Sequence, residues 1–210
     1  ITAQSAIAKH RLRELRAGLD SAEKAVLVGG GTVGLELAGE LREAFPDMQI
    51  EIIEAADDIL ASPGYTPEFR KTIKDQVEQL GVKVTTGAKL AFLPPTPAGT
   101  LGRFEVETTG GEPVTGDVWF QCYGATPVTG YLRGTDYEDA LTEVGTVRVL
   151  PTLQVAGHDH TYALGDITDI LESKRADAAR SQARVVIANI ASQIEGGDPE
   201  ATYQPKRDWV

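Results

Sequence analysis

Cysteine is almost missing from this 210-residue chain: Cys122 stands alone, so neither an internal disulfide nor a CxxC dithiol pair can form. Histidine is also scarce, with three residues in all. His158 and His160 flank Asp159, but that spacing reads as a turn before a strand, no fourth ligand accompanies them, and no metal site is expected. No apolar run approaches the roughly 20 residues needed to cross a bilayer, and the opening ITAQSAIAKHRLREL lacks the apolar centre of a secretory signal. A cytoplasmic location without a transmembrane segment is the expectation. Positive charge is outweighed, with 20 Lys and Arg against 31 Asp and Glu and a net charge of −11. Such a field repels phosphate backbones, which argues against nucleic acid as a partner.

Apolar residues at 41% and charged residues at 24% are enough to build a hydrophobic core, and the length allows one large domain or two small ones. Ile7, Leu12, Leu15 and Leu19 recur at helical spacing among basic residues, predicting a leading helix over about 4–17 that stops near Gly18. Ala25–Val28 is a wholly apolar run that breaks into three glycines, as a strand buried on both faces does. Helical periodicity resumes over 32–45, a second strand covers Gln49–Glu54, a helix over 67–80 closes at Gly81, and a third strand covers Val82–Val84. This alternation predicts an α/β fold with a parallel sheet. Leu90–Leu93, Arg103–Thr108 and Pro113–Thr115 then read as an inserted antiparallel β-meander, and Val118–Cys122 as a return to the buried sheet. A loop-rich stretch leads to Val147–Leu150, a strand over Thr161–Leu164 and a helix over about 174–194. The end, from Glu195, is polar and expected to be loosely held.

Gly29-x-Gly31-x-x-Gly34 sits between a predicted strand and a predicted helix, and Glu54 ends the next strand 20 residues further on. That context makes it a dinucleotide-binding fingerprint. Gly29 permits a tight turn, Gly31 lets the backbone approach a pyrophosphate, and Gly34 lets the helix pack on the strand, so that phosphates meet free N–H groups and a positive helix end. Gly30, Thr32, Val33 and Ala55 flank these positions and join the expected cofactor-binding set. Glu54 can accept both ribose hydroxyls, and no Arg or Lys follows it in Ala55–Asp58 to greet a 2′-phosphate, so NAD(H) is favoured over NADP(H). Glu36, Glu40 and Glu43 follow on the helix, and alone would read as a solvated acidic face. Thr161–Leu164 delivers Gly165-Asp166 at its C-terminal end, where parallel sheets bind ligands.

Four blocks in order, AVLVGGGTVGLELAGE at Ala25–Glu40, Gly124-Ala125-Thr126-Pro127, TYALGD at Thr161–Asp166, and Gln182-Ala183-Arg184 in the last helix, resemble the FAD/NAD(P)-binding flavoproteins of the pyridine nucleotide-disulfide oxidoreductase-like superfamily. Glu36 after the third glycine is most similar to the apoptosis-inducing-factor-like and type II NADH dehydrogenase branch. The resemblance covers about residues 1–195. It implies that Gly29, Gly31, Gly34 and Glu54 bind NAD(P)H and that Glu36, as a catalytic residue, lies near the nicotinamide and flavin. Gly124–Pro127 would line the nicotinamide pocket, Gly165 and Asp166 would meet the ribityl part of FAD, and Gln182 and Ala183 would pack beside its ring. It further implies an FAD-dependent enzyme passing a hydride from NADH to flavin and on to a quinone, another small oxidant or a redox-protein partner.

The chain holds one GxGxxG where the family has a second, earlier one for FAD, and it ends before the family's C-terminal domain. The expectation is therefore a central fragment that is inactive in isolation: a leading helix or linker over 1–20, an NAD(H)-binding domain over 21–130, the C-terminal half of an FAD-binding domain over 131–195, and a polar tail over 196–210. Without a dithiol, a ferredoxin or rubredoxin reductase of the same superfamily is an alternative, as is a non-catalytic NAD(H)-sensing module. An oligomer is allowed. Cys122 is expected to be structural. Tyr65, Tyr123, Tyr131 and Trp119 are expected to pack or rim, and Lys174 and Arg175 either contact an anion or sit in a solvated first turn.

Overall fold

The computed structural model describes residues 2–61, 65–124, 126–172 and 174–205. The chain divides after Gly124 into two units, taken in turn below.

Helix α1 (Thr2–Leu19) leads into β1 (Lys24–Val28), α2 (Thr32–Ala44), β2 (Gln49–Ile53), α3 (Pro67–Gln79) and β3 (Val82–Thr85). Next come β4 (Phe104–Glu107), β5 (Pro113–Gly116) and β6 (Val118–Gln121). The four-stranded sheet has the order β3-β2-β1-β6 and is parallel throughout. Ala25, Val26 and Leu27 on the central strand are wholly buried, each contributing on the order of 1–3 kcal/mol of burial according to side-chain size. One core cluster gathers Leu27, Ile50, Ile52 and Val118 with Ala38 and Leu41 of α2 and Val77 of α3. The other gathers Val26, Val28, Ile53 and Trp119 with Phe104 and Val114 of the β4–β5 hairpin.

The sequence-predicted elements of this unit hold, with two shifts. Helix α1 runs through Gly18 to Leu19 rather than stopping at the glycine. A Cβ at Gly18 would press on Leu101 at 3.2 Å, so this glycine serves close packing rather than termination. The antiparallel insertion is the β4–β5 pair, with Leu90 bridging Thr108 where a longer third strand was expected. Ala91 N–H donates to Glu107 and Thr109 N–H to Lys89, after which the chain leaves through Pro94, Pro95 and Pro97, which have no N–H to continue a ladder. The loop is pinned instead by Trp119 Nε1, which donates to the Thr96 carbonyl at 2.7 Å.

Helix α3 starts as its sequence predicts, with Thr66 Oγ1 accepting from Phe69 N–H and Pro67 at the first position. On β2, Glu51 is only 3% exposed and is held by Lys24 Nζ at 2.6 Å and Lys83 Nζ at 2.7 Å. Burial pushes its carboxyl up, but the two ammonium groups outweigh that and hold it below the usual range.

The second unit has little regular structure before α4 (Ala176–Ile194). Thr161–Leu164 is not a strand of a parallel sheet: Gln154 makes a single antiparallel bridge to Tyr162, and Gly165–Ile167 follows as one 3-10 turn. The pairing is local because neighbouring loop segments supply its partners, with Val155 N–H donating to Thr161 and Ala163 N–H to Leu153. Ala140, Val147, Val155 and Ala163 form one small core, and Leu153, Val186 and Tyr203 another. Contrary to expectation, the segment after α4 is tied down as far as Tyr203. Asn189, 1% exposed, donates to the Thr152 and Ala201 carbonyls and accepts from Ala201 N–H, while Tyr203 N–H donates to the Pro151 carbonyl.

Candidate functional site

In the first unit the sheet brings the glycine turn and Glu54 together. Gly29, at the end of β1, has φ +114°, a conformation that side-chain-bearing residues avoid, and its N–H donates to the Ile53 carbonyl. A Cβ on Gly34 would collide with the Gly29 carbonyl oxygen, so the first turn of α2 lies directly on the glycine turn. Gly31 is the N-cap of α2, with no side-chain cap, and a Cβ there would meet nothing within 4 Å. Leu35 N–H is the first to reach back into the turn, to the Gly31 carbonyl. The N–H groups of Thr32, Val33 and Gly34 have no carbonyl four residues back within the helix, which leaves an anion-seeking helix start beside open space. Thr32 and Val33 are exposed.

Glu54 follows β2 and is half-buried. Its Oε2 accepts from Gly30 N–H at 2.6 Å and its Oε1 from Ala56 N–H at 2.8 Å. Each oxygen keeps a further lone pair, so the carboxylate both braces the turn and retains acceptors for hydroxyl groups. Gly30 N–H is therefore committed to Glu54 rather than to a phosphate. Ala55 is exposed beside it, and Glu36 is exposed on α2. Cys122 closes the turn from β6: a Cβ on Gly29 would lie 2.9 Å from its carbonyl oxygen. Its thiol is half-buried, and burial pushes its pKa up. Gly124, exposed, ends this unit.

The second unit holds the other predicted residues. Thr126 is exposed and Pro127 half-buried, while Ala125 lies outside the described residues. Asp166 is exposed on the 3-10 turn. Gln182, only 2% exposed, turns its amide away from solvent: its Oε1 accepts from Gly165 N–H at 2.6 Å and its Nε2 donates to Glu172 Oε1 at 2.6 Å. Ala183 is half-buried next to it. Lys174 Nζ donates to the Thr168 and Ile170 carbonyls at 3.0 and 2.7 Å, which clamps the loop after the turn. Burial pushes that ammonium's pKa down. Arg175 caps α4 without a side-chain cap bond and pairs with Asp177 at 3.4 Å.

Sequence reasoning missed Glu172, Tyr203 and Asn189. A signal was present in α4, whose buried stripe Ala178, Gln182, Val186 and Asn189 carries two amides where apolar residues are the norm. Among the described residues no helix is long and apolar enough to cross a membrane, and no cluster of His, Cys, Asp and Glu suits a metal ion.

The family model described as pyridine nucleotide-disulphide oxidoreductase matches residues 3–183. The chain belongs to that family. Among curated relatives, FAD-dependent oxidoreductase FVFD30 of Flammulina velutipes is 31% identical over 210 residues, covering 95% of this chain and 60% of that protein. Ferroptosis suppressor protein 1 of Homo sapiens is 29% identical over 181 residues, covering 86% of this chain and 48% of that protein. Among solved structures, the ferredoxin reductase for the CYP199A2 system from Rhodopseudomonas palustris superposes with a TM-score of 0.70 at 19% identity, covering 90% of this chain and 45% of that one. The last likeness shows the fold. The chain spans roughly half the length of these relatives.

Proposed function

We propose that these residues are part of an NADH-dependent flavoprotein oxidoreductase, with the first unit holding NAD(H) and the Gly165–Asp166 turn of the second contacting FAD. The observation that carries the reading is the bracing of the glycine turn by Glu54 beside an uncapped helix start. The residues present fit a dinucleotide: a negatively charged pyrophosphate suits the N–H groups of Thr32, Val33 and Gly34, and the remaining acceptors of Glu54 suit ribose hydroxyls. A 2′-phosphate would meet the Glu54 carboxylate, which disfavours NADP(H). The exposed Asp166 carboxylate is an acceptor for ribityl hydroxyls.

When both are bound, nicotinamide and flavin supply the hydride donor and acceptor, and the protein supplies orientation. Within the first unit, Glu36, exposed on α2, would orient the nicotinamide. The acceptor we propose is a quinone, another small oxidant or a redox protein; Cys122, the one cysteine among these residues, is half-buried beside the glycine turn and takes no part.

The test is an anaerobic one on the purified chain loaded with FAD. Bleaching of flavin absorbance by NADH supports the reading, and Glu36→Gln is expected to slow bleaching while leaving NADH affinity within about twofold. Failure of the chain to bind NADH in the same titration contradicts it. Selective NADH binding without flavin binding fits a chain that spans about half the length of its relatives and leaves the NAD(H) half of the reading standing.

A further inference from the structure

The Gly165–Asp166 turn is held by a relay of side chains drawn from three separate parts of the second unit. Gly165 N–H donates to Gln182 Oε1 on α4 at 2.6 Å, Gln182 Nε2 donates to Glu172 Oε1 at 2.6 Å, and Tyr203 Oη donates to Glu172 Oε2 at 2.7 Å. The direction of the relay follows from its chemistry. A carboxylate only accepts, so Glu172 draws the amide nitrogen of Gln182 and the Tyr203 hydroxyl proton toward itself. With its nitrogen so committed, Gln182 has only its oxygen left for Gly165, and that oxygen fixes the Gly165 N–H. Turning the amide over would oppose the Gly165 N–H with a second donor and Glu172 with a second acceptor, leaving buried groups unpaired.

The far end is anchored independently. Tyr203 is 7% exposed and packs with Leu153 and Val186, its N–H donates to Pro151, and Asn189 fixes Ala201 two residues before it. Lys174 clamps the Thr168 and Ile170 carbonyls between the turn and Glu172. We propose that Glu172 and Tyr203 are positioning residues: through Gln182 they hold the backbone of the Gly165–Asp166 turn, so that docking of the segment after α4 and the geometry of the turn are coupled. In line with this, burial together with the Glu172 carboxylate pushes the Tyr203 phenol up to about 12. The functional consequence, tighter FAD binding, rests on the reading of that turn given above.

The experiment is amide hydrogen exchange, read residue by residue, on the whole chain and on Tyr203→Phe, which keeps the buried ring and removes only the hydroxyl. Gly165 is expected to exchange roughly tenfold faster in Tyr203→Phe and faster still in Glu172→Ala, which loses both contacts. The amides of Leu153 and Ala163, bonded to Leu150 and Leu153 in the same unit, are expected to keep their protection. Unchanged Gly165 exchange in Tyr203→Phe overturns the proposal, and so does an equal loss at all three amides, which would mean loss of general stability rather than positioning. FAD titration of the same two proteins separates this from the flavin reading. Weaker FAD binding in step with Gly165 exchange supports both, whereas altered Gly165 exchange with unaltered FAD affinity leaves the relay standing and overturns the flavin reading.

Discussion

The Gly29–Gly34 turn of the first unit and the Gly165–Asp166 turn of the second each follow an extended segment, and each presents backbone at the start of a helical element, the 13-residue α2 in the first and a single 3-10 turn in the second. They are held by opposite means. The first is shaped by the absence of side chains: Gly34 lies so close to Gly29 that no Cβ fits, and Glu54, just after β2, braces the turn from outside through its carboxylate. The second is shaped by three side chains, of Gln182, Glu172 and Tyr203, the last 38 residues beyond the turn's Gly165 in the chain. A backbone-shaped turn tolerates no added atom, whereas a side-chain-shaped one tolerates loss in steps.

That contrast predicts its sharpest effect at Gly34. Gly34→Ala should cost the first unit about 3 kcal/mol or more in urea unfolding, because its Cβ opposes backbone rather than a movable side chain. Gly31→Ala, facing open space, should cost under about 1 kcal/mol. Equal losses would remove the distinction between the two glycines. Next in size, Gln182→Leu should cost the second unit about 2 kcal/mol by leaving the Gly165 N–H and one Glu172 oxygen without their partner, with the first unit's transition unmoved. A loss in both transitions would contradict this.

A smaller effect belongs to Glu51. Its carboxyl pKa lies below the ordinary 4.5 in the folded protein, so its contribution is complete above that value and fades as pH falls through the lower folded value. Glu51→Gln should therefore flatten the acid side of the Tm profile, below the ordinary 4.5, relative to the parent protein. Parallel profiles would show that Lys24 and Lys83 do not stabilise the ionised form.

The same contrast explains what could be read in advance. Strands β1, β2 and β3, their helices and the glycine turn are local in sequence: apolar runs, Gly29 to Gly34 and the acid Glu54 follow one another within the first 85 residues, and only β6 joins the sheet from further along. Gly18 misled because a close contact with Leu101, not a helix end, requires it. Thr161–Leu164 misled because an apolar run states burial but not its partner, and its bridge goes to Gln154 rather than into a parallel sheet. Tyr203 and Glu172 carry no local pattern at all; their meaning lies in contacts between distant segments. The polar composition after Glu195 concealed one buried aromatic, and a single such residue is enough to dock a segment.

The proposed selectivity of the glycine turn and Glu54 for NAD(H) is tested most directly by fluorescence titration of the chain with NADH and with NADPH, repeated on Glu54→Arg. The account predicts NADH bound at least roughly tenfold more tightly than NADPH, with the preference narrowed or reversed by Glu54→Arg. Equal affinity for the two nucleotides, or a preference that Glu54→Arg leaves unchanged, would contradict it.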